Sequence, residues 1–471
     1  MAIANESASN DAQPASLTGV QVAAPESLQH TSLDDLEGGR RRLEASLVTR
    51  PDDSATWNNL GVVMRKLRNP EAALACYQRA LSIDAQCEPA LGNLGNILKD
   101  LGRHYEAIDI HRQVIARHPN NSHAWHNLGL VYNAMGRSRD ACAAFSRAMA
   151  LAPKEIAMRF DRAIAHLRAG DYQLGWQDYE ARWSLTAARR REFSAPQWQG
   201  ESLVGRSILL HSEQGFGDII LMARCIPMVK ALGATVIFEC RKELFRLFEY
   251  FPGIDRLVGE HQPMPEYALH CPLMSLPKIF QISADSIPPP IAFSIPESSR
   301  ALARSLLPGR SKNLRIGIVW SGSVTFEGND ARASRAKEFL SLYEAPDVEL
   351  YSLQAAEPRA ELGSLGTTAL ICDLTGHIND FADTAALVER LDLIVMTDSA
   401  VAHLAGSLGR PIWNLLQTVP YWLYGMDGEV CAWYPSMRLF RQPAPGDWKS
   451  VFNVVCTALR AHHRAKPDEV A

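Results

Sequence analysis

Trp57, Leu91, Trp125 and Arg159 stand 34 residues apart. Gly61, Gly95, Gly129 and Ala163 keep the same step, as do Leu60, Leu94 and Leu128. Further along the unit Ala73, Ala107 and Ala141 repeat, then Tyr77, His111 and Phe145, and the unit closes on Ala85, Pro119 and Pro153. A register held at so many positions means that each unit is the same small piece of supersecondary structure. One such piece cannot bury its own apolar face, so the units must stack. Small residues at 61, 95 and 129 let two helices approach closely, and aromatics at 57, 77, 125 and 145 fill the space around them. Pro119 and Pro153 stop the second helix of a pair.

On these residues the region resembles the tetratricopeptide repeat, whose 34-residue unit is two antiparallel helices. Three repeats run from about Ser54 to Glu155, and a fourth, to about Trp183, is degenerate, with Gly175-Trp176 where a small Ala is expected. Leu33 to Pro51 reads as half a repeat, so the array is assigned to residues 31–186. Residues 1–30 lack periodicity, are rich in Ala, Ser, Gln and Asn, and are expected to be a disordered tail. His104, His111, His118, His123 and His126 are read as surface and packing positions, because no carboxylate or cysteine joins them at a ligand-like spacing.

Beyond Trp183 the pattern changes. Residues 187–206, with Arg189-Arg190-Arg191 and a Pro/Gln/Gly-rich stretch, read as a solvated linker. Short apolar runs then alternate with helical ones: strands at Ser207–His211, Thr235–Cys240, Ile254–Val258 and Tyr267–His270, with a helix from Asp218 to Leu232. After the Pro288-Pro289-Pro290 segment the alternation resumes, with strands at Arg315–Trp320, Val348–Leu353, Leu370–Cys372, Leu393–Met396 and Pro411–Leu415. Helices are expected at Thr384–Leu391 and Ser399–Leu408. Such alternation predicts two mainly parallel sheets, one lobe over 207–300 and another over 301–465. The expected fold class is therefore α + α/β: an α-solenoid followed by two Rossmann-like lobes. Parallel sheets bind ligands beyond the carboxyl ends of their strands.

Three such ends carry candidate chemistry. After the first strand, Gln214, Gly215 and Gly217 permit a tight turn, and Asp218 falls in the first turn of the next helix. There it is either a helix cap or a residue facing a ligand above the sheet. Asp398, Ser399, Ala400, Val401 and His403 open another helix, whose free N–H groups suit a diphosphate. Asp398 is read as a cap or an acceptor for a sugar hydroxyl, and His403 as either a core histidine or a ligand contact. Ser321, Gly322 and Ser323 follow the first strand of the last lobe and Gln354 ends the next one. Arg332, Arg335 and Lys337 lie downstream as possible phosphate partners, and the sequence does not choose among them.

Together these stretches resemble the heptosyltransferase-like branch of glycosyltransferases with two Rossmann-like lobes, the GT-B fold. In that family a Gly-Asp opens the first helix of the acceptor lobe, matched by Gly217-Asp218, and the aspartate is the general base. The family's donor lobe carries Asp-Thr-Gly-x-x-His ahead of Leu-Ala, close to Asp398-Ser399-Ala400-Val401-Ala402-His403-Leu404-Ala405, with Ala400 in place of the Gly. The likeness spans about Ser207 to Arg460 and, joined to the repeats, is similar to a recurrent bacterial protein type. It implies transfer of a sugar from a nucleotide-diphosphate-sugar to a hydroxyl on a protein or glycan that the repeats recruit. The alternatives are a catalytically silent nucleotide-sugar-binding scaffold and, less expected, a sugar epimerase. The aromatics at 421–424 and 433–434 are read as packing rather than as a sugar-stacking surface.

Charge sets limits on partners. Lys and Arg number 48 against 52 Asp and Glu, a net charge of −4, so no basic excess is available for nucleic acid or a membrane surface. No apolar run is long enough to span a bilayer and no secretory signal is seen, which with nine scattered cysteines and no CxxC leads to the expectation of a reduced cytoplasm. Neither a cofactor nor a metal is expected, since no Asp-x-Asp triplet is present.

Overall fold

The computed structural model describes residues 33–185, 191–325, 328–364, 366 and 369–464. The expected tail over 1–30, together with Arg189 and Arg190, lies outside them. Two compact units divide at residues 188 and 189, the first helical and the second α/β.

In the helical unit Leu33–Thr49 precedes the pairs Ser54–Lys66 with Pro70–Ile83, Glu88–Asp100 with His104–Arg117, and Ser122–Ala134 with Ser138–Leu151. A fourth pair, Ile156–Ala169 with the short Tyr172–Tyr179, is the degenerate repeat. Starts are fixed by caps: Asp53, Asn69 and Asn121 accept from the N–H groups of Thr56, Ala72 and Ala124. The second helices end at Arg117 and Leu151, two residues short of Pro119 and Pro153. A Cβ on Gly61, Gly95 or Gly129 would stand 2.5 Å from the ring of Tyr77, His111 or Phe145, so each glycine is a seat for one ring. Trp57 and Trp125 do something else. They are half-buried, and their indole N–H groups donate to the carbonyls of Pro51 and Pro119, tying each repeat to the turn before it. The histidines do not converge: His111 lies under Gly95, His126 pairs with Asp161 at 2.7 Å, and His118 faces Glu88.

The α/β unit holds two sheets. The first contains β1 (Ser207–His211), β2 (Thr235–Cys240), β3 (Arg256–Gly259) and β4 (Leu269–Pro272) in the order β3-β2-β1-β4, all parallel. The second contains β5 (Leu314–Val319), β6 (Val348–Ser352), β7 (Ile371–Asp373), β8 (Leu393–Thr397), β9 (Ile412–Leu416), β10 (Val430–Cys431) and β11 (Tyr434–Arg441). Its order is β10-β11-β9-β8-β5-β6-β7, parallel except for β10 against β11. The direction of winding reverses between β1 and β4 in one sheet and between β5 and β8 in the other. Those are the points where such sheets open a crevice. Two Rossmann-like lobes in one compact unit give the GT-B architecture.

The structure corrects several boundaries. The 218–232 helix is broken into Phe216–Met222, a 3-10 turn and Ile226–Ala231, the last with Pro227 in its first turn. Helix Glu297–Leu306 straddles the expected 300/301 boundary and belongs to the second lobe, where Ser299 donates to Asp383 at 2.6 Å. From residue 191 the expected linker is not a free tether. Trp198, fully buried, donates its backbone N–H to His270, whose own N–H donates to Pro196, so the segment lies along β4. Phe193 stacks on the His270 ring at 3.9 Å and Arg191 pairs with Glu239. Apolar burial holds this stretch, and its basic residue is paired with a buried acid. Strands β10 and β11 and the helix Trp448–Arg464 complete the second lobe; Phe452, Val455 and Leu459 of that helix pack on Phe339, Ile316 and Val395.

Candidate active site

β1 ends at His211, and Gly215 is the N-cap of the helix Phe216–Met222. Gln214, Gly215 and Gly217 are half-buried in and beside this turn. Asp218 is buried at the third helical position. Its carboxylate reaches back to the N–H of the N-cap residue Gly215 and also accepts from the Tyr421 hydroxyl at 3.0 Å, across the two lobes. Gly215, not Asp218, is thus the N-cap, and the Asp218 carboxylate serves the helix start from within its first turn. Burial pushes its pKa up to about 6, the Asp398 charge adds to the rise, and the Tyr421 and Gly215 hydrogen bonds and Arg332 oppose it. At Gly217 the lobes pack tightly, since a Cβ there would lie 2.8 Å from the His403 ring.

Across the cleft β8 ends at Thr397 and Ser399 is the N-cap of the helix Ala400–Ser407. Asp398 is not the cap. It accepts from the Tyr424 hydroxyl at 2.7 Å and stands 3.7 Å from the Arg332 guanidinium, so its partners come from within the protein. The Ser399 and Thr397 hydroxyl oxygens are buried with no hydrogen-bond partner. Ala400 is absent from the residues with positive φ, so its helix-start N–H is presented without strain. Val401 is half-buried beside it. His403 is buried against Gly217 and bonds through Nδ1 to the Tyr434 hydroxyl at 3.2 Å. Burial lowers its pKa to about 4, so it is a neutral packing histidine between the helices.

The third loop is built by side chains that bind backbone. Gln354 Oε1 accepts from the N–H groups of Trp320 and Ser321, which fixes the turn after β5. Asn329 accepts from the Gly322 N–H and donates to the Ser321 hydroxyl, while Ser323 shares a hydrogen bond with Thr325. A Cβ on Gly322 would fall 2.4 Å from the Arg332 guanidinium, so this glycine seats the arginine that reaches Asp398. Arg335 and Lys337 are exposed, and Arg335 leans to Glu361 at 4.0 Å. Of the three cations the structure brings Arg332 to the site acids.

Sequence reasoning missed four contributors. Tyr421 and Tyr424 look like packing aromatics, and Trp422 and Trp433 between and beyond them do pack, edge to face at 5.6 Å. The two tyrosines flank that core and turn their hydroxyls onto Asp218 and Asp398. A phenol spaced three residues from another, next to tryptophan, was the available signal. Asn329 had none beyond its place after the loop. Arg224 donates to the carbonyls of Pro288 and Trp433 and so joins the lobes behind the site.

Family models described as tetratricopeptide repeat match residues 54–87, 86–154 and 126–183. The N-terminal unit is thus a tetratricopeptide array. The chain is 27% identical over 447 residues to Protein FlbA of Caulobacter vibrioides, covering 88% of this chain and 74% of that protein. Among solved structures it is similar to the glycosyl transferase family 9 protein from Veillonella parvula DSM 2008, with a TM-score of 0.40 and 12% identity over 58% of this chain and 93% of that one. It is also similar to MamA 41-end from Desulfovibrio magneticus RS-1, at a TM-score of 0.30 and 18% identity over 33% of this chain and 88% of that one.

Proposed function

We propose that the α/β unit transfers a sugar from a nucleotide-diphosphate-sugar to a hydroxyl on a protein or glycan, and that the repeats recruit this acceptor. The observation that carries the reading is Asp218: a buried carboxylate, raised to about 6, that already accepts a hydroxyl hydrogen bond from the opposite lobe. Attack by the acceptor oxygen on the anomeric carbon forms the new C–O bond as the C–O bond to diphosphate breaks. The acceptor proton passes to Asp218, and the electron pair leaves with the diphosphate. A base with pKa near 6 is stronger than an ordinary carboxylate yet still ionised at neutral pH, which favours proton abstraction. The leaving diphosphate would meet the N–H groups at the start of Ala400–Ser407, the unpartnered hydroxyls of Ser399 and Thr397, and Arg332.

The test is transfer from a panel of nucleotide sugars, with donor binding followed separately by calorimetry. Asp218→Asn should bind the same donor and lose transfer; full turnover by that variant would remove Asp218 from the mechanism. The silent-scaffold reading draws support from one observation, the Tyr421 phenol resting on the proposed base. Donor binding without transfer to any acceptor would favour it. Subcellular setting, as a reduced cytoplasm, is part of the same proposal; no helix among the described residues is long and apolar enough to cross a membrane.

A further inference from the structure

Resting on that functional reading, we infer that the phenols of Tyr421 and Tyr424, carried on the turn over residues 420–428, are a lid that holds the site shut, with Tyr421 standing where the acceptor hydroxyl must enter. The phenol is a hydroxyl bonded to Asp218 at 3.0 Å, the contact an acceptor would make at the start of proton transfer. Three residues on, Tyr424 closes over Asp398 at 2.7 Å. One short 3-10 turn, Trp422–Tyr424, therefore blocks the proposed base on one lobe and the Arg332-paired acid on the other. Asp218 and Asp398 are both buried.

The segment has a seated part, Trp422 and Leu423, and a part with room to adjust after Tyr424. Gly425 and Gly428 have φ of 59° and 80°, in the region where glycine swivels without a side-chain penalty. Around them one side chain gathers the carbonyls of the turn. Arg441 of β11 donates to the carbonyls of Tyr424 at 2.7 Å, Gly425 at 3.1 Å, Asp427 at 3.2 Å and Gly428 at 3.2 Å. Those oxygens belong to a turn, and solvent can satisfy them when it opens. The anchors on the far side are two phenol–carboxylate hydrogen bonds, which a substrate hydroxyl and a sugar hydroxyl can replace one for one. The 425–428 stretch is half-buried or exposed, whereas Pro420, Trp422 and Leu423 are buried, so opening swings the phenols and loosens 425–428 while that core stays seated.

Carbodiimide-directed coupling of glycinamide, located by peptide mass spectrometry, reports access to Asp218 without any sugar donor. Amide exchange across 420–428 reports the turn itself. In the intact chain Asp218 should be protected. Arg441→Ala should raise its labelling at least fivefold and speed exchange at 421–425, with the thermal melt of the unit retained. The double variant Tyr421→Phe/Tyr424→Phe, which keeps Arg441, should do the same. Labelling and exchange at the wild-type level in both folded variants would overturn the lid. A labelling increase without turnover of any donor would leave the lid standing and remove the transferase reading. Turnover with Asp218 still protected in both variants would do the reverse.

Discussion

The repeats and the α/β unit use one device for two ends. In the repeats, Gly61, Gly95 and Gly129 seat the rings of Tyr77, His111 and Phe145, each at 2.5 Å from where a Cβ would stand. In the α/β unit Gly217 seats His403, Gly322 seats Arg332 and Gly406 seats Tyr434, at 2.4 to 2.8 Å. The repeat seats accept Tyr, His or Phe, so what they specify is ring volume. The other three hold groups with directed partners: Tyr434 bonds His403, and Arg332 reaches Asp398. A glycine that recurs on a period marks packing. One that faces a single polar group marks a site.

The largest expected effect falls at the site. Asp218→Asn should lower transfer by about 10²–10⁴, the usual contribution of a positioned base. It should also make the protein more stable. The folded-state pKa is raised from 3.8 to about 6, so the folded chain binds this proton more tightly than the unfolded one. Its stability is greatest below the unfolded value, and falls as pH rises toward 6; above that the ionised carboxylate costs about 3 kcal/mol. Melts at pH 8 should therefore favour Asp218→Asn, and melts below pH 4 should not. In the wild type kcat/KM should fall below about pH 6 with a one-proton limb, read from pH–rate profiles. Equal melts at both pH values would place Asp218 in water and undo its contrast with the repeat positions.

Next come the seats themselves. Gly217→Ala places a Cβ 2.8 Å from His403 and 3.6 Å from the Ala400 Cα, at the approach of the two site helices. Transfer should drop by about tenfold or more, as expected when reacting groups are displaced by a fraction of an ångström. Gly129→Ala pushes on the Phe145 ring and should cost about 1–3 kcal/mol of stability, measured by denaturant unfolding. Its transfer to a small free acceptor should be unchanged. If Gly129→Ala impaired that chemistry and Gly217→Ala only stability, the division between packing seats and site seats would collapse.

The sequence exposed those glycines unequally, and the reason is physical. A 34-residue step repeats the same contact three times, so Gly61, Gly95 and Gly129 can be recognised without knowing their partners. The parallel strands were legible for a related reason: buried on both faces, Leu314–Val319 and Leu393–Thr397 are apolar or small at most positions. Asp218 and Asp398 stand out in the sequence because parallel sheets bind ligands beyond the carboxyl ends of their strands. Their partners Tyr421 and Tyr424 lie 203 and 26 residues away, the first across the two lobes and the second within one, and no local pattern reports contacts at such separations. The 218–232 helix was misjudged because apolar periodicity persists through a 3-10 turn.

The smallest effect tests the repeat side alone. His111 occupies the ring seat between Tyr77 and Phe145 in the periodic series, wholly buried, with neither ring nitrogen hydrogen-bonded. Burial, with Lys99 nearby, lowers its pKa from 6.5 to about 3. The folded chain therefore needs it neutral. Stability present above pH 6.5 is lost as pH falls toward 3, by about 1.4 kcal/mol per pH unit from this group. His111→Phe supplies the ring the neighbouring repeat already uses, and removes two buried nitrogens that pay for desolvation without a partner. It should raise stability by about 1 kcal/mol at neutral pH and more at pH 5, where the wild type has begun to lose it. If Phe were destabilising there, the seat would be specifying a histidine rather than a volume, and the repeats would hold a directed contact after all.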